Sequence, residues 1–111
     1  DGTVADGATV GKGATAFTVE VAQLDGTSIT FTVNTDKATV GEALLELGIV
    51  AGDDTEYGLY VKTVNGVTLD YDTDGAYWAF YINGEYAMTG VDATNIEAGA
   101  IYALKAEKAE G

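Results

Sequence analysis

The sequence has no histidine and no cysteine, and 5 basic residues stand against 18 acidic ones. Each shortage excludes something. Without histidine the usual general base near neutral pH is missing. Without cysteine there is no thiol nucleophile and no His/Cys zinc site. Disulfides are excluded as well, so cysteine usage identifies no compartment. The formal net charge of −13 repels phosphate backbones and anionic lipid, which argues against nucleic-acid binding. No apolar run approaches the ~18 residues of a membrane-spanning helix, so direct membrane insertion is not expected. Ser28 is the only serine and has no histidine to activate it. Paired carboxylates could act as acid and base, but these acids cluster in turns, where both stay solvated and ionised. The chain is therefore expected not to be an enzyme.

Residues 1–15 are also short of bulk: they contain no aromatic residue, no Leu and no Ile. Gly, Ala and Thr cannot bury enough apolar surface to offset chain ordering, so this stretch is expected to be a flexible leader or linker. Asp1, rather than Met, at the start is expected of a processed or trimmed chain whose targeting signal lies outside it. The remainder, residues 16–108, is rich in Val, Thr, Tyr and Ile, which favour strands, and reads as one domain.

What is present is strongly patterned. In AFTVEVAQL, Phe17, Val19 and Val21 alternate with Thr18, Glu20 and Ala22. Asp25-Gly26 favours a type I′ turn, and Ile29, Phe31 and Val33 resume the alternation, so a β-hairpin is expected. The period then changes. Val40, Ala43, Leu44 and Leu47 form one helical stripe, Thr39 and Glu42 have capping-box spacing, and Gly48 stands where a left-handed C′ residue belongs. A helix over 40–47 follows. Residues 49–57 read as a loop with an acidic tip at Asp53, Asp54 and Glu56.

Leu59, Val61 and Thr63 then alternate against Tyr60, Lys62 and Val64, and Asn65-Gly66 turns the chain into a return strand, 67–69. A strand over 77–82, a second Asn-Gly at 83–84, a return over 85–88 and a last strand over 100–106 complete the pattern, with residues 107–111 expected to fray. A hairpin, a helix and then several strands imply an α+β fold. A helix that crosses over and returns the chain beside the hairpin gives a β-grasp-like (ubiquitin-like) layer of mixed sheet with one short helix, the second Asn-Gly hairpin forming an extension.

Two stretches carry candidate chemistry. Asp70, Asp72, Asp74 and Gly75 fit the start of a D-x-D-x-D-G calcium loop. The twelfth position is Tyr81, where such a loop needs a bidentate Glu, and the flanks read as strands. The three aspartates are thus a weak calcium candidate against a solvated turn. In the 77–82 strand, Tyr77, Ala79 and Tyr81 share one face and Trp78, Phe80 and Ile82 the other. The second set is the more apolar and suits the core, which makes Trp78 a core residue or a ligand residue. Tyr60, Tyr77, Tyr81 and Tyr86 are candidates for an exposed tyrosine surface, since tyrosine combines a flat rigid contact with one hydroxyl. A plain half-buried strand surface would use the same residue type. A Lys62–Asn65 isopeptide bond is disfavoured, because the two lie too close along one turn.

TVGEALLELGIV (39–50), YGLYVKTVNGV (57–67) and YWAFYINGEYAMTGVDATNIEAGAIYAL (77–104) together resemble the DUF4430 family, which is similar to the C-terminal β-domain of transcobalamin and intrinsic factor, the vitamin B12 carriers. The resemblance runs over residues 16–106. It implies a β-grasp-like domain of a secreted, lipid-anchored or otherwise surface-exposed bacterial protein. It also keeps Trp78 in play, since the Tyr-Trp region lies near the corrinoid in those carriers. The carriers close their site with a large helical barrel that this chain lacks, so a corrinoid (cobalamin-type) ligand would meet half a site. The expectation is a monomeric, non-enzymatic binding module that requires no cofactor. Its ligand-binding candidates are Tyr60, Asn65, Tyr77, Trp78 and Tyr86, with the 65–66 and 83–84 turns as rims. The alternative is a protein- or glycan-interaction or spacer module without a small ligand.

Overall fold

A computed structural model describes residues 4–56, 58–87 and 90–108. In chain order the elements are β1 (Thr9–Gly11), β2 (Thr15–Ala22), β3 (Ser28–Thr35), α1 (Val40–Glu46), β4 (Val50–Thr55), β5 (Gly58–Val64), β6 (Val67–Thr68), α2 (Tyr71–Asp74), β7 (Ala76–Ile82), β8 (Glu85–Tyr86) and β9 (Ile101–Lys108). A 3-10 turn at Val91–Ala93 precedes β9. The fold is mixed α+β and mostly sheet. One sheet runs in the order β1-β3-β2-β9-β7-β8, the other in the order β4-β5-β6. In the large sheet β1/β3 and β2/β9 pair in parallel, and β2/β3, β7/β9 and β7/β8 pair antiparallel.

Register explains the core. Phe80 pairs with Leu104, Leu104 with Val21 and Val21 with Ile29, while Ile82, Tyr102, Val19 and Phe31 form the next row on the same face. Alternation therefore delivers one continuous apolar face. Helix α1 closes it with Val40, Ala43 and Leu44, all fully buried. Each fully buried Val, Leu, Ile or Phe side chain contributes about 1.5–3 kcal/mol, and the Ala43 methyl about 0.8 kcal/mol. The Tyr102 ring meets Phe17 edge-on at 5.3 Å and stacks on Phe80 at 6.1 Å. Its hydroxyl accepts from Glu97 N at 2.9 Å and donates to Asn95 O at 3.3 Å, which pins the loop into β9.

The helix begins as its sequence dictates. Thr39 Oγ1 accepts from Glu42 N at 3.2 Å. Glu42 reaches back to the Thr39 hydroxyl, and Gly48 follows the C-cap with φ 74°. Gly41 lies against the 3-10 turn: a Cβ there would sit 2.7 Å from Asp92 Cα. The helix start is also stitched to the loop by Val40 N donating to Thr94 O and Ile96 N donating to Ala38 O.

Several expectations need correction. The expected leader is not free over its described part. Residues 9–11 pair in parallel with 32–34, and Gly7 N donates to Thr30 O. Val4, Ala8 and Val10 pack on the core, a modest burial that backbone hydrogen bonds supplement. Residues 50–55, read as a loop because of their acids, form β4, antiparallel to β5 with a bulge between Ala51 and Gly52. A Cβ on Gly52 would lie 1.9 Å from Tyr60 O, so the bulge needs glycine. Val64, grouped by alternation with Tyr60 and Lys62, is fully buried opposite Val50.

Asp25-Gly26 is not a type I′ turn. Asp25 Oδ1 accepts from both Thr27 N and Thr27 Oγ1, and only Gly26 takes positive φ, at 92°. The two Asn-Gly turns do adopt it, with φ of 50° and 86° at 65–66 and 50° and 89° at 83–84. The second hairpin continues the large sheet: Asn83 N donates to Ile101 O and Ile101 N donates to Asn83 Oδ1. Its return strand is seen as Glu85–Tyr86, and the expected extension to Met88 lies outside the described residues. Glu107 and Lys108, expected to fray, belong to β9 opposite Tyr77 and Ala76.

Candidate binding face

The outer face of the large sheet carries the chemistry. On β7 it presents Tyr77, Ala79 and Tyr81, and their partners on β9 are Glu107, Lys105 and Ala103. Tyr86 on β8 lies opposite Tyr81, the rings edge-to-face at 5.5 Å. Tyr71, from α2, tilts against Tyr77 at 6.3 Å. Four tyrosines from three consecutive elements are thus gathered on one surface. Tyr71 is 52% exposed and Tyr86 59% exposed.

Glu107 organises the set. Its Oε1 accepts from the Tyr77 hydroxyl at 3.4 Å, and its Oε2 accepts from the Tyr81 hydroxyl. Lys105 places its ammonium 4.8 Å from the Tyr81 ring centroid, a cation–π contact. The hydrogen bond to Glu107, followed by burial and by the Glu107 charge, pushes the Tyr81 phenol up to about 12. Burial, then the same carboxylate, raises Tyr77 above its ordinary value. Both phenols are therefore neutral donors at physiological pH.

The candidates named from sequence divide. Tyr77 and Tyr86 come together on this face. Tyr60 lies on the small sheet, 38% exposed, with Lys62 Nζ 5.9 Å from its ring and paired in turn to Asp53 at 3.0 Å. Trp78 is only 7% exposed, and its Nε1 donates to Lys62 O at 3.0 Å. It serves as the buried tie between the sheets. Asn65 does not form an open rim: its carboxamide brackets the peptide of Val4, Oδ1 accepting from Val4 N and Nδ2 donating to Val4 O at 3.1 Å.

The aspartates make a capped turn. Asp70 Oδ1 accepts from Asp72 N and Thr73 N at 2.9 and 3.2 Å, and Asp74 Oδ2 accepts from Asp70 N at 2.9 Å. Gly75 then ends α2 in the left-handed region at φ 65°. Among the described residues no group of three or more acidic side chains is placed to hold a metal ion. Tyr71, Lys105 and Glu107 were missed in the sequence. Only the β7/β9 register, which sets Tyr77 against Glu107, brings the latter two to the site. A separate, mainly apolar cleft of about 360 Å³ is lined by Gln23, Leu24, Asp25, Val67 and Leu69.

The fold and the family agree with known proteins. Across 87% of this chain and all of the other, it superposes on a protein from Ruminococcus gnavus ATCC 29149, described provisionally as metal binding, with 31% identity and a TM-score of 0.81. It also matches haptocorrin in complex with Cbi at a TM-score of 0.62 and 15% identity, over 86% of this chain but 25% of haptocorrin. Both neighbours are described by what they bind rather than by a reaction. No curated protein matches in sequence. The model of the domain of unknown function DUF4430 matches residues 37–101, more than half of the chain, and the protein belongs to that family.

Proposed function

We propose that this chain is a non-enzymatic binding module whose contact surface is the tyrosine face of Tyr71, Tyr77, Tyr81 and Tyr86, and that this face offers half of a site for a corrinoid. The observation that carries the proposal is the clustering itself. Four aromatic rings lie together, two of them more than half exposed: Glu107 and Lys105 hold Tyr77 and Tyr81, and the rings of Tyr71 and Tyr86 rest against those two. Rigid tyrosines of this kind give large contact area at low entropic cost. The resemblance to a fold that also occurs in haptocorrin supports the choice of ligand. The strand order β3-β2-β9-β7-β8, with β2 and β9 parallel at its centre and α1 following the first hairpin, supports a β-grasp description. The proposal includes an extracellular or cell-surface location and a monomeric resting state. A calcium role for Asp70, Asp72 and Asp74 lacks a convergent donor set.

The test is calorimetric titration with cobalamin and with cobinamide, on the wild type and on Tyr86→Ala. Saturable one-to-one heat that the variant loses while keeping its fold supports the corrinoid half-site. Absence of heat up to high micromolar ligand overturns it. The second reading, a protein- or glycan-contact module, is favoured by the openness of Tyr71 and Tyr86, which stand on the surface rather than inside walls.

A further inference from the structure

The edge of β3 is built to receive a strand. Its occupant in the described structure is residues 4–11, and the contacts are those of peptide recognition. The pairing is parallel, Thr9 opposite Thr32 and Val10 opposite Val33. Thr32 N donates to Ala8 O at 2.9 Å, and Gly7 N donates to Thr30 O at 2.7 Å. Asp6 Oδ1 accepts from Thr30 N at 2.8 Å. At the far end the Asn65 carboxamide brackets the Val4 peptide. Main-chain bonds with alternate side-chain anchoring are how sheets bind added strands.

The segment is joined to β2 by a very short crossing. Residues 12–14 pass over the end of β3, where a Cβ on Gly13 would lie 2.1 Å from Thr35 C, and Ala14 N donates to Asp36 Oδ1 at 2.9 Å. Gly11, at φ 81°, precedes it, and a Cβ there would lie 2.3 Å from Asn34 O. Short tight hinges of this kind favour exchange of the element they hold. We propose that the β3 edge and Asn65 form a strand-acceptor site that takes residues 4–11 of a second copy of this chain, producing a strand-exchanged dimer. Monomer and dimer share every contact except those of the hinge, so exchange depends on concentration and on whether residues 11–14 cross back or extend. The strong like charge of two copies opposes their approach, and salt screens it.

The absence of cysteine makes a clean test. Full-length Thr9→Cys and Thr32→Cys chains are mixed at high concentration in high salt with oxidised glutathione, and covalent dimer is followed over hours. Thr9→Cys mixed with Thr73→Cys, at the exposed α2, controls for collision. The expected result is at least a tenfold excess of the 9–32 dimer over the control. Gly13→Val, which blocks the crossing, should raise the dimer fraction by light scattering at least tenfold at equal concentration. If that variant does not fold, the mixing experiment decides alone. Heterodimer no greater than the control overturns the proposal.

Discussion

The Tyr81 hydroxyl donates to the Glu107 carboxylate across the β7/β9 pair, although Tyr81 stands opposite Ala103 and Glu107 stands opposite Tyr77. The bond therefore runs diagonally along the sheet. Ala79, the outer-face residue between the two tyrosines, is small and buried, which leaves room for this course. Glu107 thereby fixes two phenols with one side chain.

That geometry sets a pH dependence. The folded state holds Tyr81 at about 12, above its ordinary 10.0. The neutral phenol is the favoured form, so its contribution is fully present below about pH 10 and is lost as pH rises through about 12. Absorbance titration of the phenolate should show Tyr81 ionising last, near 12, with Tyr77 also above its ordinary value in the wild type. In Glu107→Gln that step should fall back toward 10, because the acceptor charge is gone. An unchanged titration curve in the variant would break the link between the two residues.

Tyr86 is exposed and touches Tyr81 only edge-on. Tyr86→Ala should stay within about 0.5 kcal/mol of wild type in urea unfolding, as surface substitutions do. Its effect should appear in binding. A large stability loss would instead make Tyr86 a structural residue.

Trp78 behaves oppositely. Trp78→Ala should cost about 3–5 kcal/mol, as for other buried aromatics, and it also removes one of the two donors to Lys62 O, leaving only Leu69 N. Chemical denaturation measures this directly. The emission of this single tryptophan should be blue-shifted in the native state, and a wild-type-like midpoint for the variant would refute its role as the tie between sheets.

At the helix start, Thr39→Ala removes the acceptor for Glu42 N and should cost about 1 kcal/mol. Thr39→Ser, which keeps the hydroxyl, should recover most of the loss in the same unfolding assay.

These sites show what a sequence can and cannot carry. The helix, both Asn-Gly turns and the core alternation of β2, β3 and β7 were legible, because each is written in local periodicity or in a dipeptide that tolerates positive φ. The N-terminal strand was not. Val4, Ala8 and Val10 supply little apolar signal, and the order there comes from non-local pairing with β3 and from Asn65, 61 residues away in sequence. Strand β4 was hidden by its acids, which sit beside a bulge that breaks alternation. At the candidate face the tyrosines were partly legible, since β7 alternation separates Tyr77 and Tyr81 from Trp78 and Phe80. Glu107 was not, because it meets Tyr81 across 26 residues and only the strand register reveals it.

The central claim is that the tyrosine face binds. The most direct measurement is NMR mapping of the full chain during titration with cobinamide. Saturable shifts confined to Tyr71, Tyr77, Tyr81, Tyr86 and their neighbours Lys105 and Glu107 are the predicted result. Shifts confined to the cleft at Gln23, Leu24, Val67 and Leu69, or no shifts at all, would contradict it.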